Sequence, residues 1–182
     1  HETFKRFRGG AGVLAREGYP LNVLVTVRPP SGAADDGTAK RHIDLQFARL
    51  GQALERRGHA FIGFKAFEKK NGRLHGHMPL HVARECLHVV ERWADRFDRK
   101  PKRACEILEG VNKHARLADH DNAMLYALKQ HQFAGPFEPR RKFYEKGEPF
   151  RGRRAAFTPT ADAIIQAAEQ PPVQQAVAPV RY

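Results

Sequence analysis

Cysteine is scarce: the 182 residues contain two, Cys86 and Cys105, in no C-x-x-C pattern. A framework of disulfide bridges is therefore excluded, which fits a reducing compartment and a cytoplasmic protein. No run is apolar or long enough to span a membrane, and the first residues do not resemble a secretory signal, so no membrane partner is expected. No internal repeat is visible. Acidic residues are also short, 20 against 32 Lys plus Arg, for a net charge of +12 and a pI near 10.2. That imbalance points to a polyanionic partner, nucleic acid ahead of an anionic surface. The length suits one domain with a tail.

What is present is centred on residues 64–81. Asn71-Gly72 between alternating segments is a strong hairpin signal, because a type I′ turn needs positive φ at both central residues. With that turn the register follows: Lys70 faces Arg73, Lys69 faces Leu74, Glu68 faces His75 and Ala66 faces His77. Directly opposed residues share a face, as do residues two apart on one strand, so Glu68, His75 and His77 converge with Cβ separations of roughly 5 to 7 Å. One carboxylate and two imidazoles suit a single divalent ion, and Ala66 leaves room for it. The other face carries Phe61, Phe67, Leu74, Met78, Leu80 and Val82, with Lys65 discordant, and is expected to lie under helices. The histidines are then expected on an uncovered side. His81 has the same parity but lies about 13 Å farther along the strand. It is a reserve ligand, within reach only if Pro79 introduces a bulge.

Around the hairpin the pattern predicts a basic arm or frayed helix over 1–20. A buried strand follows from Leu21 to Val27, closed by Pro29-Pro30. Residues 40–57 form an amphipathic helix on Ile43, Phe47, Leu50 and Leu54, ended by Gly58. A second helix spans Arg84 to Asp98, a weak fourth strand Ala104 to Val111, and a third helix Asp119 to His131. Residues 140–154 are basic and aromatic. A short helix is expected between Phe157 and Glu169, then a Pro/Gln-rich disordered tail. The expected units are 1–20, a domain over 21–156, and 157–182. The order of elements matches α+β with a ferredoxin-like βαββαβ antiparallel sheet, helices on one face and the other face open.

On the third helix Met124 and Leu128 lie one turn apart, Tyr126 falls on the opposite side, and Lys129 shares its face. Glu68, His75-Gly76-His77 after a Gly-Arg turn, Tyr126-Ala-Leu-Lys129 downstream and a Leu-Val-Thr-Val strand closed by prolines together resemble the HUH endonuclease superfamily. The closest pattern within it is the rolling-circle replication initiator type with a single tyrosine. The resemblance covers roughly Leu21 to Gln130. It implies a metal-dependent nicking and joining enzyme for single-stranded or hairpin origin DNA. Charge and position make Arg28, Lys70, Arg73 and Arg103, with the 140–154 segment and its aromatics, the candidates for phosphate and stacking contacts. Glu68, His75 and His77 would hold Mg²⁺ or Mn²⁺, Tyr126 would be the nucleophile, and Lys129 would assist it. Gly76 departs from the bulky residue usual between the histidines, and space for Phe67 opposite is the expected reason. No helicase segment follows in this sequence, so a separate helicase partner is implied.

A single-tyrosine transposase or relaxase of the same superfamily shares much of this pattern. A non-catalytic nucleic-acid binder on a similar sheet is the rival from another class, although such sheets carry stacking aromatics on their central strands and here Phe64 is the one candidate. A histidine-triad hydrolase would need a histidine where Pro79 stands, and a cupin a glutamate nearer than Glu85.

Overall fold

The computed structural model describes residues 2–29, 35–96, 105–109, 123–124, 127–128 and 155–170. The elements are α1 (Glu2–Arg16), β1 (Val23–Val27), α2 (Asp36–Glu55), β2 (Ile62–Lys70), β3 (Arg73–His81), α3 (Leu87–Asp95, entered through a 3₁₀ turn at Arg84–Cys86), β4 (Cys105–Glu109), β5 (Ala155–Phe157) and α4 (Pro159–Glu169). They form a mixed α/β fold on an open antiparallel sheet in the order β4-β1-β3-β2-β5.

The hairpin follows the sequence expectation residue by residue. Asn71 and Gly72 have φ of 51° and 70°, the positive values that a type I′ turn requires. The ladder pairs Lys70 with Arg73, Glu68 with His75 and Ala66 with His77. Because the turn is local, it specifies the register without reference to distant contacts. Gly63↔Leu80 and Ala66↔His77 keep one register on either side of Pro79, so there is no bulge to carry His81 toward Glu68.

One face of the sheet lies under α2 and α3. Ile43, Phe47, Leu50 and Leu54 of α2 are buried against Val23, Val25, Phe67, Leu74, Met78 and Leu80, each contributing about 1.5 to 3 kcal/mol by burial. Asp35 caps α2, its carboxylate accepting from the Thr38 amide at 2.8 Å. At the far end Gly58 has φ +75°, and the His59 and Gly58 amides donate to Leu54 and Glu55 carbonyls at 3.1 and 2.8 Å. This is the paired closure that a left-handed glycine allows. Lys65, discordant in the sequence pattern, runs past Phe67 to the carboxylate of Asp44 on α2.

The reverse face differs from expectation. It is not open: α1 and α4 pack on it, and Phe7, Ala11 and Leu14 of α1 are buried with Leu24, Ile62, Phe64, Ala66 and Ile165. The expected arm over 1–20 is thus a docked helix, despite three glycines in its sequence. Gly10 is where it comes closest, since a Cβ there would lie 2.5 Å from the Phe157 ring. Phe7 stacks on Phe157 with centroids 4.5 Å apart. β5, which has too few residues to show a period, extends the sheet through Phe64↔Phe157 and Ala66↔Ala155. The helix expected at 119–131 is described at four residues, Ala123, Met124, Ala127 and Leu128. All four are buried in the same cluster as Phe64 and Ala66, and the Leu128 amide donates to Met124 O at 3.0 Å, the spacing of one helical turn. No described helix is long and apolar enough to cross a membrane.

Candidate metal and nucleic-acid site

Across the reverse face the ladders set Thr26 beside His77 and His77 beside Ala66. Ala66 is too small to fill the space opposite the imidazole. Glu68, one diagonal away, reaches across it. Its Oε2 lies 2.8 Å from His77 Nε2, and on the other side of the ring Thr26 Oγ1 lies 2.9 Å from Nδ1. Glu68 and His77 are 3% and 2% exposed. Thr26 is the polar residue in a strand buried at all five positions. A hydroxyl in such a strand needs a partner; sequence reasoning missed Thr26, and a lone hydroxyl among apolar residues is the signal that could have found it. What the sequence withheld was the β1–β3 register that supplies the partner.

The chemistry of this trio can be worked out from its donors. When Nδ1–H donates to Thr26, the lone pair on Nε2 points at the Glu68 carboxylate. In the other tautomer Nε2–H donates to Glu68 Oε2 and the Thr26 hydroxyl donates to Nδ1, which satisfies both contacts without a cation; in the first, a proton is shared or the two side chains flank a metal ion. A divalent ion with bonds of about 2.1 Å sets adjacent octahedral ligands about 3.0 Å apart, close to the separation seen. A carboxylate oxygen and an imidazole suit Mg²⁺ or Mn²⁺, and a second nitrogen held by a neighbour is how ligating histidines are oriented. Glu68 and His77 thus offer donors of the types such an ion takes, while the contact between them is that of a hydrogen bond.

The remaining expectations divide. His75 is half-buried and opposite Glu68, but among the described residues no three His, Cys, Asp or Glu side chains form a group able to hold a metal. The three-ligand cluster is seen as a pair. His81 is engaged elsewhere. Its Nδ1 donates to Pro20 O at 2.9 Å and its ring meets Tyr19 edge-on at 5.5 Å, near His59. Burial and the neighbouring His59 lower its pKa against the opposing effect of the Pro20 carbonyl. Gly76 makes room for α2 and not for Phe67: a Cβ there would collide with Ile43 Cγ2 and sit 3.0 Å from the Phe47 ring. Arg73 is exposed at the hairpin tip, across from Lys70, and Arg28 is half-buried just beyond β1. Tyr126, Lys129 and Arg103 lie outside the described residues.

Comparison with models of protein families finds no match, and searches of curated proteins and of solved structures find no similar protein.

Proposed function

We propose that the chain is a metal-dependent endonuclease and strand transferase of the HUH type, nicking single-stranded or hairpin DNA at a replication origin. The observation that carries this reading is the contact between Glu68 and His77, with Thr26 holding the far side of the imidazole. One further feature supports it. The sheet order β4-β1-β3-β2, with α2 and α3 in the two crossovers, is the order that a ferredoxin-like βαββαβ core would have.

Glu68 and His77 would hold the ion, with His75 as the nearest further donor on the same face. When bound, Mg²⁺ or Mn²⁺ would supply Lewis-acid polarisation of a non-bridging phosphate oxygen. The Tyr126 oxygen attacks phosphorus, the bond to the 3′ oxygen breaks, and the phenolic proton passes through solvent to that leaving oxygen. A 5′-phosphotyrosine and a free 3′-hydroxyl result, and the reverse attack rejoins the strand. Lys129 offsets the charge that develops on the phenolic oxygen and the phosphoryl group.

The burial of Glu68 and His77 favours a second reading, in which they form an internal tie in a non-catalytic nucleic-acid-binding domain. Incubation with Mn²⁺ and a labelled hairpin oligonucleotide separates the two. The nuclease reading expects a protein–DNA adduct that survives denaturation and disappears in Tyr126→Phe with binding retained. An adduct at wild-type level in that variant removes Tyr126 from the reaction, and no adduct with any hairpin or single strand leaves the binding domain.

A further inference from the structure

The outer side of α2 and α3, away from the sheet, carries a feature that the candidate site does not use. A groove of about 250 Å³ has Ala53, Val89 and Trp93 in its walls and is ringed by Arg56, Arg57, Arg92 and Arg96. It continues along α2 to Arg49. All five arginines are exposed; among the described residues no acidic side chain lines either part of the groove and none pairs with any of the five. Elsewhere on α2 the pattern is the opposite, since Lys40 and Lys65 share Asp44 and Lys69 pairs with Asp36. Helix ends favour cations one helix at a time, but that effect does not require two helices to aim theirs at one groove. Clustered like charges raise each other's energy unless an anion joins them.

We propose that this groove docks the sugar–phosphate backbone of a nucleic-acid strand, without regard to base sequence. Arg49 and Arg56 stand two turns apart, about 10 Å along α2, and Arg92 and Arg96 about 6 Å apart on α3. Charge repeated at such intervals matches a regularly repeating anion better than the irregular carboxylates of an acidic peptide. All five cations are arginine, whose planar forks pair with phosphate oxygens two at a time. The apolar wall of Ala53, Val89 and Trp93 suits the sugar side of the strand. The inference shares with the nuclease reading only the class of partner, and it places that partner's flanking strand on the opposite side of the sheet from Glu68 and His77.

The test titrates the full chain with a fluorescent single-stranded oligonucleotide of scrambled sequence across a range of salt, with Arg56→Gln/Arg92→Gln and Arg49→Gln/Arg96→Gln as two independent variants. Each lost phosphate contact on a single strand reduces the slope of log K against log salt by about 0.7. Each double variant should therefore lose about 1.4 in slope and bind about tenfold more weakly, while Arg56→Lys/Arg92→Lys keeps the wild-type slope. Unchanged slope and affinity in both glutamine variants would overturn the proposal. So would binding of poly-glutamate that the glutamine variants lose while oligonucleotide binding stays intact, which would mark the groove as a surface for acidic proteins. Thermal melts confirm that the variants are folded. The readout is binding alone, so an absent covalent adduct leaves this result untouched.

Discussion

Under α2, Lys65 and Lys69 escape an apolar sheet face by running their stems along it to Asp44 and Asp36 at the edge, where each partner keeps 20% to 32% of its side chain in water. On the reverse face Glu68 and His77 have no such exit, and both are almost wholly enclosed. The sheet is the same and the ladder continuous. What differs is the distance to solvent, which turns one set of charges into surface pairs and the other into an interior contact. Surface pairs contribute little and tolerate loss, whereas an enclosed charge left without its partner is expensive.

The largest effect should come from breaking the enclosed pair on one side only. Removing the imidazole in His77→Ala takes a buried partner at 2.8 Å from the Glu68 carboxylate, and unfolding by denaturant should show a loss of about 3 to 5 kcal/mol. Replacing both partners, as in Glu68→Met/His77→Leu, restores an apolar pairing of similar volume and should recover most of that loss. A double variant no more stable than His77→Ala would show that the two side chains are not coupled.

Gly76 sharpens the contrast from the other side of the same strand. Between two histidines that face inward on one surface, it faces α2, and Gly76→Ala must push Ile43 and Phe47 aside. A loss of about 1 to 3 kcal/mol is expected, smaller than for His77→Ala, again by denaturant unfolding. A neutral result would mean that α2 yields readily to an added methyl group at this position.

The smallest effect belongs to the edge. Asp44→Asn removes the acceptor shared by Lys40 and Lys65 and should change stability by about 0 to 1 kcal/mol. Burial alone would raise the Asp44 pKa, but hydrogen bonds and charge from Lys40 and Lys65 outweigh it and hold the carboxyl below its ordinary 3.8. A carboxyl depressed in the folded state contributes stability that is present above the unfolded pKa and lost as pH falls through the folded one. The variant should therefore match the wild type more closely below pH 3.8 than above it. A difference that widened below that pH would contradict the assignment.

These comparisons also show why the sequence was readable in places. Asn71-Gly72 is a local instruction, and it settled which residues face Glu68, Ala66 and Lys69 without knowledge of the rest of the chain. The apolar spacing of Ile43, Phe47, Leu50 and Leu54 is local too. The cover on the reverse face is not. Glycines in α1 lower its intrinsic helicity, and the helix is held by Phe7, Ala11 and Leu14 docking on strands far along the chain. β5 depends on pairing with β2 and has no pattern of its own. Thr26 was missed, because its partner can be found only through the pairing of β1 with β3. The arginine groove combines residues from two helices that the sequence places some forty positions apart, so charge runs along the chain did not reveal it.

The most direct measurement is calorimetry with Mn²⁺ on the wild type and on Glu68→Met/His77→Leu, both shown to be folded by circular dichroism. The expected result is binding by the wild type that vanishes in the double variant, because the two donors nearest each other are gone while the fold survives. Equal heats in the two proteins, or none in the wild type, would contradict the claim that Glu68 and His77 hold a divalent ion.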